Sequence, residues 1–183
     1  MTIQHSNKYK PAFVFLAASL FILAIGLQSV QAQLSKLEKR IVKNVDTNNA
    51  SAMKLWEEAV NVNSGTMNFD GVYKVGQIFK ARFDELGFTT RWVDGKPFNR
   101  AGHLIAEHKG NAASKTILLI GHLDTVFELT SPFQTFKWVN DSTVHGPGVG
   151  DMKGGNVIIV QALKALKDAD ALKDMNIIVV MSG

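Results

Sequence analysis

Hydrophobic residues along the chain follow two spacings, which predict an alternation of helices and strands. Apolar positions three or four residues apart, the spacing of one helix face, recur in four segments, at 33–49, 51–62, 72–86 and 157–166. Shorter apolar or alternating runs predict strands at 88–93, 103–108, 116–121 and 175–181. Ser51 is the expected N-cap of the second helix, and Gly87 is the expected terminating glycine of the third. Residues 109–115 are predicted to form a hairpin-like loop.

This order of elements predicts the fold class. Helices that alternate with buried strands are typical of an α/β fold, here an open and mostly parallel sheet with helices on both faces. The run at 116–120 is continuously apolar, as expected of a strand that is buried on both faces. In open α/β sheets, ligands bind just beyond the carboxyl ends of central strands. The residues that follow Ile120 are therefore the first candidates for a functional site.

Three polar side chains are expected at that edge. His122 and Asp124 are two positions apart, so in an extended chain their side chains point to the same side. Asp151 lies among glycines just before a predicted helix, whose N-terminus favours an ionised carboxylate. A neutral imidazole is a good zinc ligand, and a neighbouring carboxylate can hold its second ring N–H. On this interpretation the sequence supplies half of a metal site.

Ordinary loop chemistry is the alternative interpretation of the same residues. A His-x-Asp pair at a strand end often forms a hydrogen-bonded loop, and Gly-Asp is common in tight turns. Zinc takes about four ligands, and these residues alone do not supply them. His103, His108 and His145 lack a partner pattern and are expected to be strand-end or loop residues. The residues alone leave both interpretations open.

Two motifs add a resemblance to a known family. The sequences Gly-His-Leu-Asp-Thr-Val at 121–126 and Gly-Pro-Gly-Val-Gly-Asp-Met-Lys-Gly-Gly at 146–155 resemble the di-zinc peptidases and amidohydrolases of peptidase family M20. That family includes aminoacylase-1, acetylornithine deacetylase and bacterial glutamate carboxypeptidase, and the similarity is greatest to the glutamate carboxypeptidase branch. The resemblance extends over 56–87 and 176–183.

The resemblance implies a role for each candidate residue. His122 would bind one zinc ion, Asp151 would bridge two zinc ions, and Asp124 would be the active-site carboxylate that orients His122. The family has an acidic pair, containing the general base and a further ligand, directly after a strand such as 177–183. The sequence ends at Gly183, so we expect residues 33–183 to be the N-terminal part of the catalytic domain. The remaining ligands and the lid or dimerisation domain are absent, and we expect the chain alone to be inactive.

The implied activity is zinc-dependent hydrolysis of an amide bond by a water molecule shared between two zinc ions. The implied substrate is a peptide or N-acyl amino acid with a free carboxylate, such as a C-terminal glutamate, and the complete enzyme is expected to be compatible with a homodimer. Two other hypotheses remain open. One is a product that ends at Gly183 and is inert or binds metal weakly, and the other is a non-catalytic exported domain of the same fold.

Composition limits the cellular setting. The chain contains no cysteine, which excludes disulfides, thiolate zinc sites and cysteine nucleophiles. Residues 1–32 are typical of a cleavable signal peptide, with Lys8 and Lys10 before an apolar stretch at 11–27 and Val-Gln-Ala before Gln33. The alternative is an uncleaved anchor, but the stretch is shorter than the ~20 residues of a membrane span. We therefore expect a periplasmic or secreted protein that contacts membrane only through this leader.

The net charge gives little support to a nucleic-acid partner. The formal charge of +4 falls to +2 without the leader, which carries two lysines and no acidic residue. No basic run and no interleaving of basic and aromatic residues follows. We therefore expect no nucleic-acid binding.

Overall fold

The structure, a computed structural model, describes residues 33–183. Its helices are α1 (Lys36–Val60), α2 (Phe69–Leu86) and α3 (Lys153–Asp168). Its strands are β1 (Thr89–Asp94), β2 (Gly102–His108), β3 (Thr116–His122), β4 (Lys137–Asn140), β5 (Thr143–His145) and β6 (Asn176–Ser182). The predicted signal peptide lies outside the described residues. Between residues 33 and 183, no helix is both long enough and apolar enough to cross a membrane.

The first helix is longer than predicted because its cap lies further upstream. The Ser35 hydroxyl accepts the backbone N–H of Glu38, and the Glu38 carboxylate accepts the backbone N–H of Ser35, which forms a capping box. No glycine or proline interrupts the following 25 residues. The predicted N-cap at Ser51 is wrong, since this residue lies inside α1 and its hydroxyl donates to the Asn48 carbonyl at 2.7 Å. The end of α2 is as predicted, with Gly87 at φ 88°.

The main sheet is mixed, with the strand order β1-β2-β6-β3. β1 pairs with β2 and β2 pairs with β6 in antiparallel fashion, whereas β3 and β6 are parallel. The predicted α/β fold with an open sheet is confirmed, but among residues 33–183 only one of these three pairings is parallel. A short turn joins β1 to β2 and permits antiparallel pairing, whereas the crossover through α3 gives the parallel pair. The hairpin predicted at 109–115 is wrong, because β6 lies between β2 and β3.

The described helices form one layer on one face of the sheet. α1 and α2 both pack against α3, and the shared core contains the inward residues of β2 and β6. Those inward residues are Leu104, Ala106, Ile177, Val179 and Met181. On the opposite face, Leu118 and Ile120 of β3 are 55% and 66% exposed. Helices on both faces are therefore not present within residues 33–183, because all three share a single core.

The segment between β3 and α3 leaves the sheet and returns. It contains the hairpin of β4 and β5, and it brings the glycine-rich stretch at 146–150 back to the edge where β3 ends. Phe136 anchors this excursion, since its buried ring meets the Trp56 ring edge-on with the centroids 5.4 Å apart. The excursion thus places two sequence motifs beside each other.

Candidate metal site

The loop that follows β3 is fixed by hydrogen bonds on both sides. The Leu123 N–H donates to the Ser182 carbonyl at 2.6 Å, and the Thr125 N–H donates to the Ser64 carbonyl at 2.7 Å. The buried Ser64 hydroxyl donates in turn to the Leu123 carbonyl at 2.9 Å. This loop therefore has little freedom, and the side chain of His122 leaves the strand from a defined position.

His122 and Asp124 point to the same side and contact each other, as predicted. The Nδ1 atom of His122 lies 3.2 Å from Asp124 Oδ1 and 3.1 Å from the Asp124 carbonyl oxygen. Since both neighbours are acceptors, Nδ1 is assigned the proton, and Nε2 is left for a ligand. The Thr66 hydroxyl donates to Asp124 Oδ2 at 2.6 Å and holds the carboxylate in this orientation.

Asp151 meets the other side of the same imidazole. Its Oδ1 atom lies 2.9 Å from His122 Nε2, while its side chain is 93% exposed. The preceding glycine loop makes this approach possible, since Gly148 adopts φ 77° and accepts the Lys153 backbone N–H at 2.9 Å. The structure therefore brings the three predicted residues together, although they come from two separate segments.

α3 fixes the end of β3 from behind. The fully buried Asn156 donates through Nδ2 to the His122 carbonyl at 2.6 Å. Its amide oxygen occupies the space in which a side chain at position 121 would lie, so only glycine fits there. One side chain therefore connects the first turn of α3 to the last residue of β3.

The charge state of His122 follows from its neighbours. Burial alone would lower its pKa, but the hydrogen bond to Asp151 and the contacts and charge of Asp124 outweigh burial and raise the pKa above its ordinary value. When the ring is neutral with its proton on Nδ1, both Nε2 and the facing Asp151 oxygen are acceptors. Two acceptors 2.9 Å apart require a proton or a cation between them. The pair is therefore suited to hold a cation.

The described residues supply only part of an ion's coordination shell. Between residues 33 and 183, no group of three or more His, Cys, Asp or Glu side chains could hold a metal ion. The site opens into a cavity of about 290 Å³, whose apolar wall includes Phe127 and Phe133. A larger groove of about 570 Å³ runs between α1 and α3, but no titratable side chain lines it. Of these two cavities, only the smaller one is lined by titratable side chains.

The other described histidines make local contacts. His145 packs on the Phe133 ring with the centroids 4.5 Å apart. His108 Nδ1 lies 2.9 Å from the Met175 carbonyl oxygen, and His103 Nδ1 lies 3.1 Å from Ser182 Oγ.

Comparison with known proteins shows which family the segment around this site resembles. Residues 118–183 match the profile of Peptidase family M20/M25/M40. This part of the chain is therefore similar to that peptidase family. The matched segment begins in β3 and ends just after β6, so it contains both His122 and Asp151.

Similarity to known proteins extends over most of the described chain. Carboxypeptidase G2 from Pseudomonas sp. (strain RS-16) is 28% identical over 151 residues, which cover 80% of this chain and 35% of that protein. The di-peptidase Dug1p from Saccharomyces cerevisiae superposes with a TM-score of 0.68 at 16% identity, covering 81% of this chain and 34% of that one. Human carnosine dipeptidase 1 also gives 0.68, at 19% identity, covering 79% of this chain and 34% of that one. The chain thus shares their fold and spans about a third of their length.

Three residues around the site were not predicted from the sequence. Thr66, Lys153 and Asn156 each contact a partner at least 34 positions away. No short-range spacing connects such partners, so pattern reasoning alone does not find them. The available signals were that Lys153 lies inside one of the two motifs and that Thr66 lies in the segment 56–87, over which the resemblance extends.

Proposed function

We propose that this chain is the part of a zinc-dependent M20 peptidase that carries His122 and the bridging Asp151. One observation carries the proposal. His122 Nε2 and Asp151 Oδ1 face each other at 2.9 Å, while the Asp124 carboxylate contacts the other ring nitrogen, Nδ1. An imidazole nitrogen and a carboxylate oxygen are both good zinc donors, so the pair fits the metal. The family match and the similarity to Carboxypeptidase G2 support the same reaction class.

Each residue of the chain has a distinct task in this proposal. Asp124 holds the proton on His122 Nδ1, which keeps the lone pair on Nε2 directed at the cavity. Thr66 fixes the Asp124 carboxylate, which would otherwise rotate. The exposed Asp151 side chain leaves its second oxygen accessible, which supports a bridging role between two ions. Bound zinc would supply a Lewis acid and lower the pKa of a bound water molecule.

The proposed substrate is a peptide or N-acyl amino acid with a free carboxylate, and C-terminal glutamate is the first candidate. Carboxypeptidase G2 supports the carboxypeptidase assignment, and the fold is shared with two dipeptidases. The described residues include two donors and no third, so we propose that the 183-residue chain does not hydrolyse such substrates by itself. The complete enzyme would bring the remaining ligands and the general base, and its homodimerisation belongs to the same proposal.

The decisive experiment measures metal and activity in the native product of this locus. We expect about two zinc ions per chain, together with hydrolysis of an acyl-glutamate substrate that a chelator abolishes. His122→Ala and Asp151→Ala should each remove nearly all activity and lower the zinc content. His145→Ala and Asp141→Ala are matched controls, because both residues are exposed and lie outside the proposed ligand set.

Two results would contradict the proposal. Full zinc content and full rate in either ligand variant would show that the site is elsewhere. A native product with neither zinc nor hydrolysis would favour a non-catalytic domain of the same fold.

We also propose that residues 1–32 direct export and are then removed, which would place the protein in the periplasm or outside the cell. Mass spectrometry of the protein purified from its natural host should find Gln33 as the first residue. An intact N-terminus would instead identify the stretch at 11–27 as a retained anchor.

A further inference from the structure

Lys153 is a buried lysine for which the metal site provides no obvious use. It is the first residue of α3 and is completely buried. Its ammonium group donates to the Val62 carbonyl at 2.8 Å, and among residues 33–183 this is its only hydrogen-bond acceptor. No carboxylate within the same range lies at ion-pair distance. A buried ammonium group with a single partner is energetically costly.

Lys153 contacts both segments from which the site is built. On one side, its backbone N–H donates to the Gly148 carbonyl at 2.9 Å, and its aliphatic stem packs closely over Gly148. On the other side, its ammonium group reaches the carbonyl of Val62, just after the end of α1. One side chain therefore spans the distance between the glycine loop and the chain that follows α1.

The segment after α1 in turn determines where Asp124 lies. The Thr125 N–H donates to the Ser64 carbonyl, and the Thr66 N–H donates to the Thr125 carbonyl at 3.0 Å. A shift of this segment relative to the glycine loop would move Asp124, and with it His122, relative to Asp151. The contact between His122 and Asp151 depends on the same separation that Lys153 spans.

Stability does not account for the charge on this side chain. A methionine has nearly the same length, fills the same space and avoids the cost of burying a cation. What methionine lacks is the directional hydrogen bond to the Val62 carbonyl. The role of the ammonium group is therefore geometric.

We propose that Lys153 is a positioning residue that sets the separation between Asp151 and His122 by linking the glycine loop to the segment at 62–66. The part of this inference that concerns zinc rests on the proposed function. The part that concerns the position of Asp151 does not, and it can be tested without metal.

The test compares Lys153→Met with Lys164→Met in the 183-residue chain. Lys164 is a matched control on the same helix, since its ammonium group is at the surface and pairs with Asp168 at 2.9 Å. The first readout is the ¹⁵N NMR signal of the His122 ring in metal-free protein, assigned with His122→Gln. The second is zinc affinity, measured by competition with a chromophoric chelator, and the third is the melting temperature at pH 7.

In Lys153→Met we expect the His122 signal to move to the position that it takes in Asp151→Asn. We expect zinc affinity to fall about 10-fold, as for other residues that orient a ligand. The melting temperature should stay close to that of the wild type, and Lys164→Met should change none of the three readouts.

A chemical rescue keeps the test decisive if Lys153→Met fails to fold. The chain has no native cysteine, so Lys153→Cys can be alkylated selectively in urea and refolded. An aminoethyl group restores an ammonium of almost the original length, whereas a propyl group gives a neutral side chain of the same size. The aminoethyl form should recover the wild-type His122 signal, and the propyl form should not.

The outcomes separate the two proposals. An unchanged His122 signal in Lys153→Met, or equal recovery by both alkyl groups, would overturn the positioning role. A loss of zinc affinity that only parallels a loss of stability would also overturn it. If the wild-type chain and the native product both bind no zinc, while the His122 signal still moves in Lys153→Met alone, the positioning role stands and the proposed function fails.

Discussion

Replacing Lys153 by methionine should remove a pH dependence of stability that the buried ammonium group creates. Burial lowers the pKa of Lys153 from 10.5 to about 8 in the folded chain. Between these two values the unfolded chain binds more protons than the folded chain, so the free energy of unfolding rises with pH. The wild type should therefore become more stable from about pH 8 to about pH 10.5.

The size of the effect follows from the interval between the two pKa values. Each pKa unit corresponds to about 1.4 kcal/mol, so full titration contributes about 3 kcal/mol. At pH 7 the methionine variant is stabilised because it does not bury a charge. It is destabilised because the Val62 carbonyl loses its hydrogen-bond donor, which lowers the free energy of unfolding by about 1–3 kcal/mol. These contributions nearly cancel, so the variant should be about as stable as the wild type at pH 7.

Urea unfolding followed by circular dichroism, with a chelator present, measures this effect. The useful quantity is the difference in free energy of unfolding between the wild type and Lys153→Met at each pH, because the other titrating groups are common to both. That difference should grow in favour of the wild type above pH 8 and reach about 3 kcal/mol. Parallel curves for the two proteins would refute the reasoning, since they would mean that Lys153 titrates normally in the fold.

Three further predictions concern the surroundings of the site. Gly121→Ala places a methyl group against the Asn156 amide oxygen and should lower the free energy of unfolding by about 1–3 kcal/mol, measured by urea denaturation. Thr66→Val removes the hydroxyl that donates to Asp124 at 2.6 Å and should weaken zinc binding about 10-fold in a chelator competition assay. The pKa of His122 is higher in the folded chain than its ordinary value, despite burial. The protonated ring should therefore stabilise the fold fully at pH values below the pKa of the unfolded chain, and this stabilisation should be lost as the pH rises through the pKa of the folded chain. NMR titration of His122 and unfolding curves at several pH values measure this effect.

Each of these predictions has a matched control. Gly150→Ala should be nearly neutral, because an added methyl group there has nothing within 4 Å; a loss as large as that of Gly121→Ala would contradict the steric explanation. Thr66→Ser retains the hydroxyl and should retain zinc affinity, so weak binding by both variants would point to packing instead. Asp151→Asn should lower the His122 pKa, and an unchanged value would exclude the contact as its cause.

The sequence was sufficient to predict most elements but not how they pair. Local signals decide where helices and strands lie, as at Gly87, and the Ser-x-x-Glu pattern at 35–38 could have placed the start of α1. Strand order is a long-range property. Nothing in the residues around 109–115 shows that β6 will lie between β2 and β3.

The same distinction applies to the site. His122, Asp124 and Asp151 were found because a short spacing and two motifs mark them. Thr66 and Asn156 were missed because each acts on a partner that is distant in sequence, 58 and 34 positions away. Pattern reasoning thus identified three of the polar groups that face the cavity and missed two residues that hold them in place, of which Thr66 also lines the cavity.

The position of β6 at the centre of the sheet determines when the site can form during synthesis. β3 pairs with β6 and with no other strand among residues 33–183, and the loop that follows His122 also bonds to Ser182 at the end of β6. Pairing between strands so far apart in sequence is slow to form. Because synthesis proceeds from the N-terminus, the apolar run of β3 would remain unpaired until β6 has been made. During this time the chain would be prone to aggregation. Within residues 33–183, His122 would therefore be among the last to reach its final place, although more than half of that range precedes it.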